Sequence, residues 1–177
     1  VVRGVGLEYI GVLTGFPCGS YRYTGVLVPE LPGGVPFAIG FAWLLIVISG
    51  SFTASRLILP GSRSAVRVVA LSLLGALFAV GLDLLLEPVA YHVKGYWQWL
   101  AGSGGYYDIP CSNFIAWFVA AAGFAVPLAL LYAARKSYSR TGVHVTLYTM
   151  NVGVSGIVYF RDGCGWPGSC GRVLWGG

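Results

Sequence analysis

The chain has 177 residues, 56% of them hydrophobic and 10% charged, with a formal net charge of +5 and a mean hydropathy of +0.76. A soluble domain carries about a quarter charged residues, so this chain lacks the polar groups to cover a globule of its size. That excludes a soluble enzyme, a disordered tail and a secreted disulfide knot. It predicts an all-α polytopic membrane bundle of about four or five transmembrane helices, forming one domain over residues 1–177.

The chain opens at Val1 with no methionine and no signal-peptide pattern. Residues before Thr14 read as the end of an earlier span, which predicts further sequence on the N-terminal side. The first full apolar stretch runs from about Val35 to Leu59. The second starts near Ala65 and stops at Pro88, placing a span over 65–87. The third covers Ser112 to Ala134, with a kink expected at Pro127. The fourth, Val143 to Phe160, is short and rich in β-branched residues and glycine. It too reads as a helix, the cheap way through lipid. A cysteine-containing tail, 161–177, follows.

The positive charges sort by connection. Arg56, Arg63 and Arg67 flank the first; Arg135, Lys136 and Arg140 flank the third. The positive-inside rule puts both in the cytoplasm, so the excess charge reports topology and implies no nucleic-acid partner. Segments 15–34, 89–111 and the tail then lie on the opposite side, with all four cysteines. Disulfides persist in an oxidising compartment. Cys164 and Cys170 are close enough to pair, Cys18 pairs with Cys111 if their loops meet, and four free thiols is the alternative reading. No zinc-ligand spacing occurs, so no metal site is expected.

There are six acidic residues. Asp83 lies inside the second span and Glu87 follows at i+4 on the same face. A carboxyl in hydrocarbon costs several kcal/mol unless paired or protonated, so at least one of the two is expected as a neutral acid. The plainer reading is that Asp83 bonds a neighbouring helix and Glu87 anchors at the interface. Glu8, Glu30 and Asp108 fall on the same side of the membrane; Asp162 starts the tail and reads as solvated. Asp83 and Glu87 share a level with Tyr21, Tyr23, Trp97, Trp99, Tyr106, Tyr107 and Asn113. An interfacial aromatic belt explains part of that density. Acids beside π faces and an apolar pocket also suit chemistry through a carbocation. His92 and His144 read as surface or satisfied residues, and the GSGG at 102–105 reads as a turn.

Four ordered motifs carry a resemblance: GFPCGSYRYT (15–24), GVPFAIGFAW (34–43), DLLLEPV (83–89) and GYWQWLAGSGGYYDIPCSNFIAWF (95–118). Together they resemble the carotenoid biosynthesis membrane proteins, a family that includes carotenoid 1,2-hydratases and bisanhydrobacterioruberin hydratases. The resemblance runs from about Glu8 to Phe118. Within it, Cys18 stands where the family has Phe, and Asp108 where it has Gly.

The resemblance implies a multi-pass enzyme of the cell membrane that hydrates the terminal C=C of an acyclic carotenoid through a tertiary carbocation. Asp83, then Glu87, would donate the proton. The other of that pair, or Glu8 or Asp108, would deprotonate the attacking water. Trp97, Trp99, Tyr106 and Tyr107 would stabilise the cation, Asn113 and Tyr23 would position water, and Tyr21 and Trp117 would complete the substrate site. No cofactor is required. The implied partners are a carotenoid or other polyisoprenoid substrate and the lipid bilayer, with further N-terminal spans or a homo-oligomer completing the assembly. Cyclisation or isomerisation through the same cation is the alternative within enzymes. Outside enzymes, the alternatives are a proton or cation relay through Asp83 and Glu87, and a structural subunit.

Overall fold

A computed structural model describes residues 2–58, 64–100 and 105–134. The expected fourth span at 143–160, the tail with Asp162, Cys164 and Cys170, His144, Arg63, Arg135, Lys136 and Arg140 lie outside those residues.

Helix α1 spans Val2–Thr14, α2 Phe37–Leu57, α3 Ala65–Pro88 and α4 Cys111–Ala134. Among the described residues, three helices are long and apolar enough to cross a membrane: Phe37–Leu57, Ala65–Val93 and Cys111–Ala133. α2 begins directly after Pro36, whose fixed φ of −63° sits outside the helix. α3 begins at an N-cap serine, Ser64, whose side chain accepts the Arg67 N–H at 3.2 Å.

Pro88 does not end the second span, contrary to the expectation from sequence. The helix continues as a π-helical turn, Val89–Val93. Proline offers no N–H and crowds the turn before it, but the helical path after it continues with the wider π spacing. Lys94 N–H then donates to the Val89 carbonyl and Tyr96 N–H to the Ala90 carbonyl, each at 2.9 Å. α4 is likewise one continuous helix through Pro127.

α2 and α4 both pack on α3. The main core joins Trp43, Ile46 and Val47 near the start of α2 to Ala76, Ala79 and Leu82 towards the end of α3, and to Ala121 and Ala125 of α4. The three helices therefore run antiparallel to their neighbours, and four helix ends meet at one level. The α2–α3 crossing is close: a Cβ on Gly50 would stand 2.6 Å from the Gly75 carbonyl oxygen. Phe41, Leu44, Leu73, Leu77, Ile115 and Val119 are exposed on the outside, as suits a hydrocarbon surround.

Two short antiparallel ribbons lie over the meeting helix ends. β1 (Tyr21–Tyr23) pairs with β4 (Trp97–Trp99) in the register Tyr21↔Trp99, Arg22↔Gln98, Tyr23↔Trp97. β2 (Glu30–Leu31) pairs with β3 (Val35–Pro36). Side chains alternate across a strand. Arg22 and Gln98 are exposed and bonded to each other at 3.1 Å, while the four ring-bearing residues of the ribbon line a cavity beneath it. The loops bearing Cys18 and Cys111 do meet, Ser112 Oγ donating to the Cys18 carbonyl at 2.9 Å. The two thiols are nevertheless free, Cys18 buried and Cys111 exposed, so for these two cysteines the free-thiol alternative holds.

Candidate active site

Asp83 and Glu87 stand one turn apart near the end of α3, 3% and 4% exposed. Asn113, in the first turn of α4 and equally buried, joins them. Its Nδ2 donates to Asp83 Oδ2 at 3.3 Å and to Glu87 Oε1 at 3.0 Å, so both N–H bonds of one amide are used. Glu87 Oε2 also accepts the Trp97 indole N–H at 3.1 Å.

A third carboxyl comes from α1. Glu8 Oε2 accepts the Tyr21 and Tyr23 hydroxyls at 2.5 and 2.8 Å, and its Oε1 accepts the Trp43 indole N–H at 2.9 Å. All three neighbours are donors, so both oxygens act as acceptors. Gly11 makes this geometry accessible, since a Cβ there would lie 2.8 Å from the Tyr21 hydroxyl oxygen.

The three carboxyls line one cavity of about 210 Å³. Trp43 and Trp117 stack along its wall, centroids 3.8 Å apart and planes 11° from parallel. Tyr23 meets Tyr21 and Trp97 edge-on at 5.7 and 6.1 Å, and Tyr21 lies 5.2 Å from Trp99. Burial, followed by the nearby Glu8, Asp83 and Glu87 carboxyls, pushes the Cys18 thiol up to about 12. Burial and then Glu8 likewise raise Tyr21 and Tyr23 above the usual phenol range. Both phenols therefore remain hydroxyl donors at neutral pH.

Of the residues singled out from sequence, Glu8, Tyr21, Tyr23, Asp83, Glu87, Trp97, Trp99, Asn113 and Trp117 line this cavity. Asp108, Tyr106 and Tyr107 are not among its lining residues. They form a tight turn, Ile109 N–H donating to the Tyr106 carbonyl at 3.0 Å, with Tyr107 and Asp108 left-handed at φ 52° and 60°. His92 Nε2 lies 2.9 Å from the Tyr107 carbonyl oxygen, so this histidine is satisfied as expected. Sequence reasoning passed over Trp43 and Cys18 as site residues. Trp43 had a signal: an indole N–H in an apolar span needs an acceptor, and Glu8 was an acid without an assigned partner.

Chemically, the cavity combines buried carboxyls, hydrogen-bond acceptors on the facing α1, and electron-rich ring faces between them. Such a setting can move a proton and shelter a cation.

Over residues 1–176 the chain matches the family described as carotenoid biosynthesis protein. It is 34% identical over 115 residues to bisanhydrobacterioruberin hydratase of Haloarcula japonica. That alignment covers 64% of this chain and 37% of the relative, so the match spans little more than a third of the relative's length. No solved structure matches the chain. Its apolar helices, its motifs and this family match agree: the chain is a helical membrane protein with a role in carotenoid biosynthesis, and it belongs to the carotenoid biosynthesis protein family.

Proposed function

We propose that the cavity hydrates the terminal C=C of an acyclic carotenoid by acid catalysis, in a multi-pass protein of the cell membrane. The observation that carries this reading is the placing of three carboxyls around one aromatic, largely apolar space. Two share Asn113 and the third is held separately by three donors.

Asp83, with Glu87 beside it, gives its proton to the less substituted alkene carbon. The C=C π bond breaks as the new C–H bond forms, leaving a tertiary cation on the neighbouring carbon. The faces of Trp43, Trp117, Trp97 and Tyr23 stabilise that charge, at about 0.5–2 kcal/mol each. Water then attacks the cation to form the C–O bond, and Glu8 accepts the proton that the water sheds. The net change is the addition of one water. Proton exchange from Glu8 back to Asp83 resets the site, and the reaction balances with no cofactor.

The test is expression of the chain in a lycopene-producing bacterium, with any further N-terminal spans restored, followed by pigment chromatography with mass detection. A more polar product heavier by one water, absent with Asp83→Asn, supports hydration. General acid catalysis is worth roughly 10²–10⁴-fold, so the variant should leave only traces. A product of unchanged mass and shifted retention redirects the reading to cyclisation or isomerisation. Unaltered pigment with confirmed membrane insertion overturns the catalytic reading.

A further inference from the structure

The size and openings of the cavity constrain what enters it. About 210 Å³ is somewhat more than a cavity of about 150 Å³ that holds one benzene. An isoprenoid end group fits; a whole polyene does not. The remainder of a long substrate must therefore trail out of an opening.

The ribbon side is closed. β1 and β4 lie over the cavity, and Thr24 Oγ1 donates to the Gly95 carbonyl at 2.5 Å while Leu100 N–H donates to the Ser20 carbonyl at 2.9 Å. The α2 side is different. Of the described residues lining the cavity, Ala38 alone is exposed. Ala42, one turn further, is half-buried, and Ile46, a turn beyond that, is buried. Positions i, i+4 and i+8 share one helix face, so this stripe runs from outside to inside. Around Ala38 the surface is hydrocarbon: Phe37 and Phe41 are 44% and 49% exposed and in contact at 5.1 Å. The methyl side chains of Ala38 and Ala42 leave room where larger residues would close the wall.

We infer that only the end group of a long acyclic polyene enters the cavity, and that the rest of the chain leaves past Ala42 and Ala38 into the lipid. This rests on the hydration reading for the identity of the ligand and deepens it by fixing the route and the length class of the substrate.

The test is thiol protection on the full chain in detergent micelles, read by peptide mass spectrometry so that the native cysteines do not interfere. Ala38→Cys is labelled with N-ethylmaleimide in the presence of lycopene or of the short isoprenoid myrcene. Ala42→Cys serves as a second reporter. Leu77→Cys, exposed on α3 away from the cavity, is the control. Lycopene should slow labelling at position 38 about tenfold, myrcene should leave it unchanged, and neither should affect position 77. Lycopene that co-elutes with the protein yet leaves both α2 thiols fully reactive overturns the route while sparing the hydration reading. Protection with lycopene recovered unhydrated supports the route and overturns hydration. Failure to retain lycopene at all overturns both.

Discussion

Trp43 gives its indole N–H to Glu8 at 2.9 Å while its ring lies flat on Trp117, 3.8 Å between centroids. One side chain therefore fixes both the orientation of a carboxylate and the wall against which a substrate would sit. Glu8 is held by residues 13, 15 and 35 positions further along the chain, so its placement depends on the assembled fold.

Trp43→Phe separates these two duties. The ring contact survives and the donor is lost, which should cost about 1 kcal/mol of stability and lower the yield of hydrated product. Thermal unfolding in detergent, run beside pigment analysis, reads both. A normal yield would show that Glu8 does not depend on this donor.

Asn113→Leu removes the amide shared by Asp83 and Glu87. Leaving two buried carboxyls without that donor should cost roughly 1–3 kcal/mol and abolish product. The expected result is a lower unfolding midpoint together with loss of activity. If the variant were as stable as the parent, the amide would not be what holds the pair.

Gly11→Val acts through Tyr21. Its Cβ would meet the phenol oxygen at 2.8 Å, and the ring must swing away from Glu8. The helical fold should persist by circular dichroism while product falls to the level of Tyr21→Phe. Retained activity in Gly11→Val would show that the Tyr21–Glu8 bond is dispensable.

Cys18 should be chemically silent at neutral pH. Its thiol, pushed up to about 12 by burial and then by the surrounding carboxyls, stays protonated, and thiolate is the reactive form. N-ethylmaleimide at pH 8 is expected to modify exposed Cys111 and spare Cys18. The sign for stability follows from the same shift. An unfolded thiol ionises near 9 and the folded one near 12, so folding is favoured fully below pH 9 and progressively less as pH rises towards 12. Cys18→Ala should flatten that alkaline decline; an identical decline in the variant would count against the assignment.

Much of this was legible in the sequence, because hydrocarbon imposes long unbroken apolar runs. α2 at Phe37–Leu57 and α4 at Cys111–Ala134 fall within two residues of the stretches read at 35–59 and 112–134. Asp83 and Glu87 were visible because carboxyls are costly in such runs and i+4 spacing shares a face. The end of α3 was misread, since the helical path runs on past the proline as a π turn in which Val89 and Ala90 are buried. The distinction between Tyr23 and Tyr107 was not legible either. Both belong to aromatic loop motifs, but pairing with β4 brings the first to the cavity, whereas left-handed backbone turns the second elsewhere.

The three-rung pairing of β1 with β4 couples parts of the site that have no direct bond. From one strand Tyr21 and Tyr23 hold Glu8; from the other Trp97 holds Glu87. In so short a ladder a slip of one residue would turn the rings of the slipped strand outward. The donors to Glu8, or the indole donor to Glu87, would be lost with them. The proposed acid and base thus share a single mounting, and a substitution that loosens it should impair the proposed protonation and water capture in step.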